Sequence, residues 1–422
     1  MIDFTQSITI ITYFLLVILI IKIAFLGTLS WFHFRTGRKK KRMKLHGKKK
    51  PLVSIIIPCY NEKMTLENCV NSLMAQTYRQ FEIILVDDGS TDITPDIFRE
   101  LAARLQGRVF YFSKKNNGKA SALNYGIRRA DGEIIVCIDA DSVFAKDTLR
   151  ELVKSFVRNP DLGAVGGNVK VANRDKLFNK HQAIEYITGL NVQRRAFAFL
   201  GCMQVISGAI GAFDKRKLLA IGGYSSDTIV EDMDITISMI KAGYEVEYNS
   251  KAIAYTEAPE NIKDFMRQRY RWAFGGFQVL KKHRDVFFNQ KYGLMGLVGL
   301  PYVLISPWID ALTTLLFIIF IFRLAILGPD EWTFVFFPVM LLVQMITVGY
   351  SLILDRENKK LLLLFGIESL WYYHFINIIT MAAAFDYFKG KSGSWDKLKR
   401  LGKNRVPKRD RADKKTDRNN SA

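Results

Sequence analysis

Residues Ile8 to Phe34 form an almost unbroken apolar stretch, interrupted by Lys22. A helix needs about 20 residues to cross the hydrocarbon core of a bilayer. The stretch is too long, and lacks the small-residue cleavage site, to be a secretory signal peptide. Residues 1–34 are therefore expected to stay as a transmembrane helix. Apolar density returns after Tyr292, where Leu304 to Leu327 and Trp332 to Leu354 read as spans separated by Gly328-Pro329-Asp330-Glu331. Gly293 to Pro301 reads as an interfacial helix leading into the first of them. Leu361 to Phe388 is apolar but carries Glu368, His374 and Asp386.

Charge is just as unevenly placed. Lys plus Arg number 61 against 40 acidic residues, and ten of the basic ones fall between Arg35 and Lys50 without a carboxylate. Both this linker, residues 35–50, and the tail, residues 389–422, abut apolar segments. That favours a cytoplasmic juxtamembrane role beside lipid headgroups over a nucleic-acid partner. The positive-inside tendency then puts the N-terminus outside and the following domain in the cytoplasm. Three C-terminal spans would leave the basic tail outside, against that tendency. Either Gly293 to Leu327 crosses twice or Leu361 to Phe388 does not cross fully, and both remain open. Cys59, Cys69, Cys137 and Cys202 show no zinc or CxxC spacing and are expected as buried thiols in a reduced compartment.

Between the apolar ends, residues 51–289 alternate strand with helix. Val53 to Pro58, Glu82 to Val86, Glu133 to Ile138 and Gly163 to Val165 are short β-branched runs. Thr65 to Gln76 and Asp92 to Gln106 are helical patterns between them. Such alternation argues for an α/β fold with a mostly parallel sheet, whose ligands bind beyond the carboxyl ends of the strands. Residues 290–388 would then hold interfacial and transmembrane helices.

Two of three acidic motifs sit where that rule looks for them. Asp139-Ala140-Asp141 follows a strand directly, and two carboxylates at that spacing can share a hard divalent cation and the diphosphate it neutralises; a plain Asp-containing turn accounts for it equally. Asp87-Asp88-Gly89-Ser90 also follows a strand, where its carboxylates can accept from a base or ribose edge; taken alone, a solvated Asp-Gly turn is the more usual explanation of such a run. Asn117-Gly118-Lys119-Ala120 offers close backbone approach and a lysine for phosphate or uridine, without the spacing of a P-loop. Glu231-Asp232 opens a helical pattern and offers a general base for an acceptor hydroxyl; it also fits plain helix N-terminal acids. Gln268-Arg269-Tyr270-Arg271-Trp272 lies in a helical segment with Ile262, Phe265 and Met266 expected on one side. Arg271 offers a fork for diphosphate, Trp272 a flat face for a sugar ring, and Gln268 a bifunctional amide. An interfacial amphipathic helix accounts for the same five residues.

Taken together with Pro58-Cys59-Tyr60-Asn61-Glu62, this ordered set resembles the processive family 2 glycosyltransferases, the membrane synthases of cellulose, chitin, hyaluronan and poly-β-1,6-N-acetylglucosamine. The layout is most similar to the bacterial poly-N-acetylglucosamine synthases, which share the size, Asn124-Tyr125-Gly126-Ile127 and Ile206-Ser207-Gly208. The resemblance implies a GT-A fold and inverting, processive transfer from a UDP-sugar, UDP-N-acetylglucosamine first among them, onto a growing polysaccharide that is exported across the plasma membrane. It places Pro58, Tyr60, Glu62, Asp87, Asp88, Lys119, Asp139 and Arg271 on the donor. Ser207, Gln268 and Trp272 fall on the acceptor, and Asp139 and Asp141 on a Mg2+ or Mn2+ ion. Asp232, with Glu231, would be catalytic. It also leaves room for a small membrane accessory subunit. Val230 stands where the family usually has Thr, which removes a hydroxyl but no carboxylate, and no cyclic-di-GMP reader is evident. The competing readings are synthesis of another polysaccharide, single-sugar addition to a lipid or glycan, and a basic anchored protein binding anionic lipid or nucleic acid; the last explains none of the carboxylates.

Overall fold

The computed structural model describes residues 4–39, 50–329, 331–364, 366, 371–393 and 400–407. Most of the basic linker, most of the tail, Asp330 and Glu368 lie outside the described residues. The chain divides into two compact units.

The α/β unit takes Lys41–Ala183, Met203–Phe265 and Asp396–Ala422. Its strands are β1 (Val53–Cys59), β2 (Phe81–Asp87), β3 (Val109–Ser113), β4 (Ile134–Cys137), β5 (Ser142–Phe144), β6 (Leu162–Val171), β7 (Gly211–Asp214) and β8 (Glu245–Thr256). They form one eight-stranded sheet in the order β3-β2-β1-β4-β7-β6-β8-β5. β1 pairs parallel with β2 and β4, β2 with β3, and β6 with β8. β7 runs antiparallel to β4 and β6, and β5 antiparallel to β8.

The β-branched runs are buried because helices cover both faces. Val53, Ile55, Ile56 and Ile57 have no exposed surface, and each such side chain contributes about 1.5–3 kcal/mol by leaving water. The covering helices include α2 (Leu66–Met74), α3 (Thr94–Arg104), α4 (Lys119–Arg129) and α5 (Thr148–Arg158). The parallel strands β1, β2 and β4 end together, so Cys59, Asp87 and Asp139 come to one edge of the sheet. The expected strands and helices are all present, with ends shifted by one to several residues. All four cysteines are buried and none is in a disulfide.

The helical unit takes Met1–Lys40, Ile184–Cys202 and Met266–Trp395. α1 (Phe4–Lys39) is 36 residues long. α7 (Val192–Phe199) and most of α10 (Ile262–Lys282) lie here with the long apolar helices α11 (Leu300–Leu327) and α12 (Glu331–Leu354), whereas most of α6 (Leu177–Glu185) and all of α8 (Lys215–Ala220) and α9 (Glu231–Lys241) lie in the α/β unit. Met295–Gly299 is a π-helical turn running directly into α11, so Met295–Ile326 is one candidate span and not two. Among the described residues, Leu16–Gly37 and Phe337–Leu354 are the other helices long and apolar enough to cross a membrane. The described part of Leu361 to Phe388 ends in the 16-residue helix Tyr373–Phe388, which is not among these candidates.

Lys22, the interruption in the first apolar stretch, donates to both carboxylate oxygens of Asp310 at 2.7 and 2.9 Å and to Ser306 Oγ at 2.9 Å. A lone charge among apolar helices is costly and an ion pair with a hydroxyl partner offsets that cost. The pair joins α1 to α11.

Candidate active site

The turn after β2 is closed by its own acids. Asp87 accepts from the Ser90 amide at 3.0 Å and from Ser113 Oγ at 3.1 Å. Asp88 pairs with Lys114 Nζ at 2.5 Å and accepts from the Asn117 amide at 3.1 Å. Gly89 has φ +77°, and a Cβ there would meet the Asn116 nitrogen at 2.9 Å, so the turn requires glycine. The loop carrying Pro58, Tyr60 and Glu62 is clasped to this turn. The Asn61 amide donates to Ser90 Oγ at 2.8 Å, and the Glu62 amide to Thr94 Oγ1 at 2.8 Å. Pro58, Tyr60 and Glu62 are half-buried.

Lys119, first residue of α4, links two motifs that are distant in sequence. Its Nζ lies 2.6 Å from Asp139 Oδ1 and 2.7 Å from Glu231 Oε1. Burial alone would lower its pKa, but the carboxylates of Asp139, Glu231 and Asp232 outweigh that and hold the ammonium form above its ordinary range. The Ser207-Gly208 turn makes this possible. A Cβ at Gly208 would stand 2.7 Å from Lys119 Nζ and 3.3 and 3.4 Å from the Asp139 oxygens. Ser207 is half-buried at the same turn.

Glu231 and Asp232 open α9. Asp232 accepts from the Gly208 amide at 3.2 Å and from the Met233 amide at 2.9 Å. Burial, then the charge of Glu231, pushes its carboxyl up to about 6, against the opposing pull of Lys119 and the Gly208 amide. A carboxylate with that value is a more capable base than an ordinary aspartate. Val230, in place of Thr, is buried and leaves both acids in position.

Asp141 is buried, with a partner that no local pattern in the chain marks. The Arg400 guanidinium lies against Asp141 Oδ2, while Ser142 and Thr256 hydroxyls donate to Oδ1 at 3.1 and 3.2 Å. Arg400 also donates to the Glu257 carbonyl at 2.8 Å, and Glu257 accepts from the amides of Leu401 and Lys403 at 2.7 and 3.1 Å. Asn404, fully buried, donates to the Thr65 carbonyl at 3.0 Å. A stretch of the basic tail is thus docked on the acidic motif.

The two acids of Asp139-Ala140-Asp141 therefore face different cations, and among the described residues no group of three or more acids, histidines or cysteines is gathered as a metal site. Asp139 nevertheless fits a hard divalent ion. It is a half-exposed carboxylate, and glycine at 208 keeps a methyl group from standing 3.3 and 3.4 Å from its two oxygens. Asp141 would join it only on losing Arg400.

Gln268 to Trp272 lie in the part of α10 that belongs to the helical unit. The side expected to carry Ile262, Phe265 and Met266 splits: Phe265 is buried, whereas Ile262 and Met266 are exposed. Residues 265 and 266 are adjacent and point about 100° apart around the helix, so one is buried while the other is exposed. Gln268 and Arg269 are buried; Arg271 and Trp272 are half-buried.

A parallel-centred sheet with acids at the ends of β2 and β4 and a raised carboxyl at the start of a helix describes a nucleotide-sugar transferase of GT-A type. Residues 54–218 match the family described as Glycosyl transferase family 2. The poly-beta-1,6-N-acetyl-D-glucosamine synthase of Staphylococcus epidermidis is 30% identical over 358 residues, 81% of this chain and 85% of that protein. The chain belongs to glycosyltransferase family 2 and is a glycosyltransferase. The synthase of the same name from Staphylococcus aureus strain COL is 32% identical over 239 residues, 57% of each chain. Among solved structures, a mannosyltransferase from Pyrobaculum calidifontis in complex with GDP-Man and Mn2+ shares the fold, with TM-score 0.61 and 23% identity. That match covers 89% of this chain and 98% of the other.

Proposed function

We propose that this chain is a membrane-embedded, inverting, processive β-glycosyltransferase that polymerises UDP-N-acetylglucosamine into poly-β-1,6-N-acetylglucosamine and exports the product. The observation that carries the reading is the charge cluster in which Lys119 bridges Asp139 and Glu231 beside the raised carboxyl of Asp232. It supports a donor diphosphate and an acceptor hydroxyl meeting at one place. The names of the staphylococcal relatives support the choice of sugar and linkage.

In this reading Asp87 and Asp88 hold the uridine edge, with Pro58, Tyr60 and Glu62 lining the same loop. Asp232 takes the proton of the acceptor hydroxyl as its oxygen bonds to the anomeric carbon. The bond from that carbon to the diphosphate oxygen breaks on the opposite face, so configuration inverts and UDP departs. Lys119 and Arg271 hold the diphosphate. A Mg2+ or Mn2+ ion, held by Asp139 and, once Arg400 has moved away, by Asp141, would neutralise charge on the departing group. Ser207, Gln268 and Trp272 hold the acceptor end of the polymer.

The basic residues behind the first span support a catalytic domain in the cytoplasm and an N-terminus outside. With three spans, the tail returns to the cytoplasmic side, which agrees with its charge. Whether a small membrane subunit assists is a matter for reconstitution with and without one.

The test is purified protein with UDP-N-acetylglucosamine and Mg2+ or Mn2+. The expected result is released UDP and a polymer cut by a β-1,6-specific glycosidase. Absence of both UDP and polymer overturns the reading, a single-sugar product favours the non-processive alternative, and a polymer resistant to that glycosidase points to another polysaccharide.

A further inference from the structure

Gln268 and Trp272 stand four residues apart on α10 and so share one of its faces. Arg269, next to Gln268, is only 3% exposed. Its Nε and Nη2 donate to the two carboxylate oxygens of Glu185 at 2.8 and 2.6 Å. The flat fork of arginine makes this bidentate pair, and lysine has no equivalent. Glu185 Oε2 also accepts from the Tyr372 hydroxyl at 2.5 Å. The third arm, Nη1, donates to Gln268 Oε1. The guanidinium carbon stands 4.4 Å from the centroid of the Trp272 ring and 6.0 Å from that of Tyr186. The Tyr186 and Trp272 rings are themselves 6.3 Å apart.

These contacts fix two side chains at once. Arginine has only donors, so the Gln268 amide must turn its oxygen toward it, and its NH2 is then what the amide presents elsewhere. A cation against one face of the indole holds the ring plane while the ring stays half-buried.

We propose that Arg269, clamped by Glu185 and Tyr372, is the positioning residue of the acceptor platform, setting the Trp272 ring and the Gln268 amide to receive a hydroxyl-bearing sugar ring. The proposal rests on the reading of Gln268 and Trp272 as acceptor-binding. The indole carries the apolar face of the pyranose, and the amide NH2 donates to one of its oxygens. Arg269 itself touches no sugar.

The experiment uses the full-length enzyme in detergent with UDP-N-acetylglucosamine and a short β-1,6-linked N-acetylglucosamine oligosaccharide as primer. Four variants are compared with the unaltered enzyme: Arg269→Lys, Trp272→Ala, the two combined, and Tyr372→Phe. Arg269→Lys is expected to raise the primer KM roughly tenfold or more and to shorten the polymer, with UDP binding by calorimetry unchanged. In the Trp272→Ala background it should add little. Tyr372→Phe loses one hydrogen bond and should raise the primer KM about two- to threefold; it decides the matter if Arg269→Lys does not fold. An unchanged primer KM, an equal loss of UDP binding, or full additivity with Trp272→Ala overturns the proposal alone. A Trp272→Ala enzyme with unaltered primer KM overturns the acceptor reading, and the proposal with it.

Discussion

Arg400 lies against the buried carboxylate of Asp141, so a residue near the end of the chain neutralises an acid at the end of the fourth strand. Burial alone would lower the pKa of Arg400, but Asp141, with Glu62, Glu257 and Asp139, holds its charged form above the ordinary range. Replacing Arg400 with Ala should leave Asp141 with only the Ser142 and Thr256 hydroxyls. The expected outcome is a several-fold fall in the Mn2+ concentration that half-saturates UDP binding. Calorimetric titration of the ion in the presence of UDP measures it.

Asp232→Asn is expected to reduce transfer by about 10²–10⁴-fold, the usual contribution of a general base, while UDP binding stays largely intact. It should also make the fold more resistant to heat at neutral pH. An acid whose folded pKa lies above its ordinary value costs stability while ionised. Here that cost is absent below about pH 3.8, grows as pH rises to about 6, and is complete above it. Melting curves at pH 4 and pH 7.5 should show the stabilisation only at the higher pH.

The same value sets the acid limb of the rate profile. Transfer requires the carboxylate, so the rate should fall about tenfold per pH unit below 6 and level off above. Lys119 lowers the Asp232 pKa, and Lys119→Met should move that limb upward by roughly one unit. A pH series of initial rates on both enzymes distinguishes this from a simple loss of donor binding, which would lower the curve without shifting it.

Gly208→Ala is expected to separate activity from stability. The added methyl would stand 2.7 Å from Lys119 Nζ, the far end of a flexible side chain that can swing aside without moving the backbone. The melting temperature should change little. The bridge from Asp139 to Glu231 would be displaced, and kcat should fall roughly a hundredfold, as for other ångström-scale misplacements.

The acids were legible in the sequence because a parallel strand buried on both faces announces itself as a β-branched run, and its carboxyl end is where ligands gather. Asp87 and Asp139 were singled out that way, but each was also open to reading as a plain turn until set beside the other motifs. The glycine before the base motif was visible too, but not its task, which depends on Lys119 arriving from another helix.

The sequence by itself determined the two architectures, since apolar length and strand-helix periodicity are local properties of the chain. It also determined which carboxylates stand at strand ends. Only the tertiary structure decided that Met295–Ile326 is one helix, that Lys22 meets Asp310, that Arg269 meets Glu185 and that Arg400 meets Asp141. Each of these is a pairing across long separation in the chain. Arg400 stands in a tail crowded with lysine and arginine, and Arg269 beside Arg267 and Arg271, with no local chemistry to mark either one. The cost of burying a charge selects the partner only after folding has brought the two together.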